Sequence, residues 1–197
     1  MLHIKVPATS ANMGPGFDCA GIALQLYNEI WVETIPSGIE ISSKTNENIP
    51  KDESNLIYST IRDFYEAENI PMPGIRLIQD DHIPMTRGLG SSAACIVGGL
   101  IAANILSGKN YSKEELAQKA AKLEGHPDNS NPAIFGDMII SAMYSEGMKY
   151  VKLNVPKNIL FAVMIPEFTL STKKARAVLP DSYTRSQSIF NSSRTGL

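Results

Sequence analysis

Apolar and polar positions alternate along residues 22–27 and 30–35, a period of two that predicts two half-buried strands. A shorter strand is expected at 4–6, stopped where Pro7 lacks the donor needed to continue it. Further strands are expected at 38–44, 75–78, 138–143, 150–153 and 160–165. The period becomes helical at Ile57, Ile61, Phe64 and Tyr65, which share one face of a helix that Ser54 is placed to cap. Pro71 and Pro73 close that region. From Ser91 to about Leu106 the chain is almost wholly apolar, the pattern of a helix buried in the core, with Gly108 as its stop. Ser112-Lys-Glu-Glu115 is a capping box opening a helix to about Leu123. Shorter helices are expected at 129–135, from Ser171 or Thr172 to Val178, and from Ser182 or Thr184 to the end of the chain.

Strands and helices mixed in this order, with meander-like runs of strands, predict an α+β fold. The first domain is expected over residues 1–156, and residues 157–197 read as the start of a second domain. Ile189, Phe190 and Leu197 lie in a final helix that ends without a cap or a partner for its apolar side chains. That second domain is therefore expected to be incomplete, in a chain cut short, and the chain alone to be poorly soluble or weakly active.

Composition narrows the function classes. Of 197 residues, 43% are hydrophobic and 19% charged, ordinary for a soluble globular protein. A net charge of −2 gives no electrostatic footing for nucleic acid or an anionic membrane, so neither is expected as a partner. The N-terminus lacks the basic and apolar regions of a signal peptide. The uncharged stretch 88–108 is interrupted by Ser91, Ser92, Asn104 and Ser107, so no membrane span is expected. Cys19 and Cys95 have no metal-ligand spacing and read as small buried hydrophobes in a reducing, cytoplasmic compartment.

Candidate chemistry is concentrated in four segments. The first is Pro84-Met85-Thr86-Arg87-Gly88-Leu89-Gly90-Ser91-Ser92-Ala93-Ala94, a glycine-rich turn running into a helix. The unpaired N–H groups of a helix start, with its dipole, seat an anion, and a nucleotide phosphate is the obvious one. No Lys follows the glycines, which excludes the Walker A pattern. The second is the loop from Pro7 to Asp18, where Asn12 and Asp18 flank two glycines and either point into a pocket or bond their own backbone. The third is Glu124-Gly-His-Pro-Asp-Asn129. Glu124 ends a helix, where a carboxylate is poorly placed for the dipole, and a metal ion would offset that cost. His126, with no second His nearby, orients neighbours or substrate. The fourth is Leu170 to Pro180, where Arg176 suits a carboxylate through two parallel hydrogen bonds or sits on a helix surface.

These segments together resemble the GHMP small-molecule kinases. Pro-x-x-x-Gly-Leu-Gly-Ser-Ser-Ala is similar to their ATP-binding motif. Ser-Ala-Asn-x-Gly-x-Gly-Phe-Asp18, His-Pro-Asp-Asn129 and Ser-Thr-x-x-Ala-Arg176 resemble the homoserine kinases within them. Ser130-Asn131 departs from the Val-Ala usual there, which puts the local packing in doubt, and the family's C-terminal glycine-rich motif is absent. The resemblance implies a two-domain GHMP kinase-like fold, with an N-terminal domain similar to ribosomal protein S5 domain 2 and a partly present ferredoxin-like C-terminal domain. It implies ATP held by residues 84–94, Mg²⁺ by Ser92 and Glu124, and L-homoserine as substrate. The substrate residues would be Asn12, Asp18, His126, Asp128, Asn129, Thr172 and Arg176, with Asn129, Arg176 and Glu124 closest to the chemistry. Asn129 stands where mevalonate kinases place an Asp base, and an amide takes no proton at neutral pH. A GHMP kinase of another alcohol and a non-enzymatic ATP-binding protein are the competing readings. A homodimer is compatible with all of them.

Overall fold

The computed structural model describes residues 1–197 except 166, 169–171 and 196–197, and the side chains of Thr172 and Lys173. Its first unit is a long antiparallel pair, β1 (Leu2–Ala11) and β2 (Ala20–Ile35), in register from Leu2 opposite Val32 to Ala11 opposite Gly21. Strand β1 runs straight through Pro7. It pairs with β2 alone, and its register shifts between Pro7 and Thr9, so an edge position at an irregularity accommodates the missing donor. The two strands expected at 22–27 and 30–35 are one strand of 16 residues. Asn28 and Glu29 carry it across the polar gap: they pair with Val6 and Lys5, and the buried Asn28 Oδ1 accepts the backbone N–H groups of His82 and Ile83.

With β3 (Ile39–Ser43), β4 (Gly74–Asp80), β5 (Met138–Tyr144) and β6 (Gly147–Leu153), the sheet runs β3-β4-β2-β5-β6, β3 parallel to β4 and the other pairs antiparallel. Helices α1 (Leu56–Ala67) and α2 (Ser91–Leu106) build the core with Ile4, Val6, Ile30 and Val32 of the β1–β2 pair. The cap of α1 is Asn55, whose Oδ1 accepts from the N–H groups of Ile57 and Tyr58. Ser54 donates instead to Asp52 Oδ1. Asn55 has the advantage of a second function: its amide also donates to Pro50 O and Gln79 Oε1, tying the helix start to β4. Ile57, Ile61, Ile75 and Leu77 are fully buried, and truncating any one to Ala costs about 2–5 kcal/mol.

Helix α2 is the central rod, with most of its residues buried. Its neighbours approach so closely that a Cβ at Gly98 would meet Ile30 Cδ1 at 2.8 Å and one at Gly99 would meet Ile57 O at 2.9 Å. No helix among the described residues is long and apolar enough to cross a membrane. The α2–α3 connection is fixed by Glu68, which receives Lys109, Lys119 and Tyr111 and whose carboxyl is held down at about 2, chiefly by the Lys119 hydrogen bond. Helix α3 (Lys113–Glu124) opens with the expected capping box between Ser112 and Glu115 and ends at Gly125, where φ is +81°. A short α4 (Ser130–Phe135) follows and leads into the hairpin β5 (Met138–Tyr144) and β6 (Gly147–Leu153).

Beyond β6 the outcome differs from the pattern in the sequence. Residues 160–165 form no strand; Leu160 and Met164 are each 94% exposed. An extended segment becomes a strand only where a neighbour takes its N–H and C=O groups, and among the described residues β6 pairs with β5 alone. Helix α5 (Thr172–Arg176) stops short of Val178, and Ser171 lies outside the described residues. Helix α6 (Arg185–Thr195) starts at Thr184, whose hydroxyl accepts the N–H of Gln187, and its Ile189 and Phe190 are exposed. Leu197 lies outside the described residues.

Candidate active site

The glycine-rich turn links β4 to α2, and its last residue, Gly90, caps that helix without a side chain. Gly90 meets two demands at once. Its φ is +67°, in the left-handed region, and a Cβ there would lie 2.0 Å from Thr9 Oγ1. Since no side chain caps α2, the N–H groups of Ser91, Ser92 and Ala93 at its first turn are directed out of the helix. Ala94 spends its N–H on Gly90 O and buries its methyl in the core, so the donor set ends one residue earlier than the motif suggests. Thr86 to Ala93 line a cleft of about 990 Å³, whereas Met85 is exposed and Pro84 is half-buried outside it. Arg87 is half-buried on the cleft wall.

Beside the turn, the lining continues with the end of α3 and the turn into α4. Glu124 is the last residue of α3, and its carboxyl is pushed up by burial, then eased by His126 and by a hydrogen bond with Ser92. Asp128 is 1% exposed; its Oδ1 lies 2.5 Å from His126 Nδ1 and its Oδ2 has no partner among the described residues. That carboxylate raises the His126 imidazole. Asn129 caps α4 and faces the cleft with Oδ1 accepting from Thr9 Oγ1 at 2.8 Å.

Asn12 and Arg176 complete the rim. Asn12 is exposed with φ +60°, and its Oδ1 accepts the N–H of Asp18, so its side chain closes its own loop. Arg176 makes a two-pronged ion pair with Asp18 and stands over the Phe17 ring at 5.1 Å. Single oxygens of Asp18 and Asp128 and a ring nitrogen of His126 lie within 4.8 Å of one another, so one guanidinium faces a compact acidic and imidazole group. Of the candidate site residues, Thr172 is the one whose side chain falls outside the described residues.

Three neighbours of this site have no role of their own in the sequence reading, although Thr9 and Phe17 lie in the segment from Pro7 to Asp18. Thr9 is fully buried in β1, which runs to Ala11, whereas the sequence places it in the loop after a strand stopped at Pro7. Phe17 is 49% exposed, unusual for an aromatic, and lies beneath Arg176. Cys19 is half-buried, its thiol raised by burial and then by the Asp128 and Asp18 carboxylates. The departure at Ser130-Asn131 is only partly absorbed: both are fully buried, Asn131 Nδ2 donates to Ser141 Oγ at 2.6 Å, and Ser130 Oγ and Asn131 Oδ1 have no hydrogen-bond partner among the described residues.

Residues 55–137 match the model of the GHMP kinases N terminal domain. A homoserine kinase of Caldicellulosiruptor saccharolyticus is 46% identical over the whole of this chain, which spans 64% of that protein. Among solved structures, a putative homoserine kinase from Listeria monocytogenes superposes with a TM-score of 0.81 at 35% identity, covering all of this chain and 66% of that one. A homoserine kinase from Cytophaga hutchinsonii gives 0.80 at 30% identity, over 98% of this chain and 65% of that one. The chain thus spans slightly under two thirds of the length of the relatives it matches.

Proposed function

The chain belongs to the GHMP kinases, with their α+β fold, and on that premise we propose that it serves ATP-dependent phosphorylation of the side-chain hydroxyl of L-homoserine. The products are ADP and O-phospho-L-homoserine. The observation that carries the reading is the cleft itself. An uncapped helix start with three outward N–H groups forms part of its lining, and a charged set able to hold a zwitterion stands beside it.

The residues divide the work by their chemistry. Gly88 to Ala93 receive the triphosphate on backbone donors. Ser92 and Glu124 fit Mg²⁺: one hydroxyl and one carboxylate on the lining of the same cleft, beside the phosphate seat, match a cation that takes few protein ligands. When bound, Mg²⁺ supplies charge neutralisation at the β- and γ-phosphates. Arg176 receives the substrate carboxylate and Asp18 its ammonium, so the substrate inserts between two groups that are paired to each other in its absence. Asp128, held by His126, adds negative charge beside the ammonium. Asn129 donates to the attacking hydroxyl and takes no proton from it. A loose phosphoryl-transfer transition state leaves the rate to positioning and charge, and the hydroxyl proton departs late to phosphate or water.

Mass spectrometry of products after incubation with MgATP and homoserine tests this, with mevalonate and a sugar offered in parallel. Phosphohomoserine alone is the expected product. Phosphorylation of another alcohol in preference, or nucleotide binding with no homoserine-dependent ADP release, overturns it.

A further inference from the structure

Asn129 is useful to a reaction only if its amide presents the N–H end to the cleft, and an amide side chain turns over easily unless something holds it. Two contacts hold this one. The Thr9 hydroxyl donates to Asn129 Oδ1 at 2.8 Å, and Asn129 Nδ2 faces Asp128 Oδ1 at 3.4 Å. Turning the amide over would set its oxygen against a carboxylate, two acceptors with no proton between them. The remaining Nδ2 hydrogen is then the one left for a ligand in the cleft that Asn129 lines.

Thr9 reaches that position by belonging to two structures at once. Its backbone N–H donates to Leu89 O in the glycine-rich turn at 3.1 Å, so β1 and the turn are stitched together at this residue. Its side chain then crosses to Asn129, a sequence separation of 120. Gly90 packs its bare Cα against this bond: a Cβ there would fall 2.0 Å from Thr9 Oγ1 and 3.1 Å from Asn129 Oδ1. Thr9 is fully buried, so its hydroxyl has no solvent to bond with instead.

We propose that Thr9 is a positioning residue that locks the Asn129 amide and sets its distance from the phosphate turn, so that nucleotide and acceptor hydroxyl are registered through one side chain. The proposal rests on the homoserine kinase reading above, and its test separates the two. In the full chain, Thr9→Val keeps the shape and removes the hydroxyl, whereas Thr9→Ser keeps the hydroxyl. Thr9→Val is expected to lower kcat about 10–100-fold with KM for ATP changed by less than about threefold, and Thr9→Ser to retain most of the wild-type kcat.

The second readout needs no turnover. The Asn129 side-chain amide pair in a ¹⁵N-resolved NMR spectrum should move and narrow its separation in Thr9→Val and stay near its wild-type position in Thr9→Ser. Equal kcat losses in Val and Ser variants, or an amide pair unchanged in Thr9→Val, overturn the proposal. If the wild-type protein turns over no homoserine, the functional reading fails, and the amide resonances alone decide whether Thr9 holds Asn129.

Discussion

Asp18 and Arg176 are 158 residues apart in sequence and meet as a two-pronged ion pair at the mouth of the cleft, with Nη1 to Oδ2 at 2.9 Å. The sequence analysis assigns one to a substrate ammonium and the other to a carboxylate. In the structure each fills the need of the other, so a zwitterion must open the pair to bind. The guanidinium loses one carboxylate and gains another, and the net cost is small only for a ligand carrying both charges.

Removal of either partner should therefore act on substrate affinity first. Arg176→Lys cannot make two parallel bonds and is expected to raise KM for homoserine about 10–100-fold, with kcat changed less. An N-acetylated homoserine, which keeps the carboxylate alone, should bind far worse than homoserine to wild type. Initial-rate kinetics against both compounds check this, and equal KM values for the two would refute the exchange.

Glu124 offers a test of the metal assignment. Burial pushes its carboxyl up, so a larger share is protonated in mildly acidic solution than for an exposed Glu. Activity should fall on the acid side as that carboxylate is lost. Glu124→Gln should raise the Mg²⁺ needed for half-maximal rate about tenfold or more and abolish that acid limb. A Mg²⁺ titration at several pH values reads both effects.

His126 is raised by the Asp128 carboxylate, so the charged imidazolium persists above its ordinary range. The pair's contribution to stability is complete below the unfolded value near 6.5 and is lost as pH rises through the raised folded value. Thermal melts from mildly acidic to alkaline pH should show wild type losing stability over that window, with His126→Gln flat across it. Parallel curves for the two would show that the contact contributes nothing.

Glu68 works in the other direction. Its carboxyl is held at about 2 against an ordinary 4.5, so its stabilisation is present above 4.5 and disappears as acid titrates it towards 2. Glu68→Gln should lower stability at neutral pH by about 1–2 kcal/mol and converge with wild type in strong acid. Urea denaturation at neutral pH and at the lowest pH where the native state persists would measure the difference.

Local chemistry was readable in advance where a single residue type decides the outcome. The Ser112–Glu115 box opens α3 as the spacing predicts, and the glycine-rich turn leads into a helix start. Residues with two plausible neighbours were not readable. Ser54 and Asn55 are both good caps, and only the distant Gln79 favours Asn55. Pro7 stops a central strand but not an edge strand, and nothing local tells which β1 is. The segment 160–165 has the composition of a strand, yet strand formation depends on a pairing partner. Within the site, Glu124, His126, Asp128 and Asn129 are near in sequence and near in space. Arg176 with Asp18, and Thr9 with Asn129, are joined only by the fold.

Helix α2 is wedged where Gly98 and Gly99 leave no slack between Ile30 on one side and Ile57 on the other. Its first turn therefore cannot slide or tilt to greet an incoming anion. Any gripping of a ligand is then expected from the flanking loop of Asn12 and Asp18 and from Arg176, while the dipole stays still. Deuterium uptake along α2 should be indifferent to nucleotide, and the slowing should register in those two flanks instead.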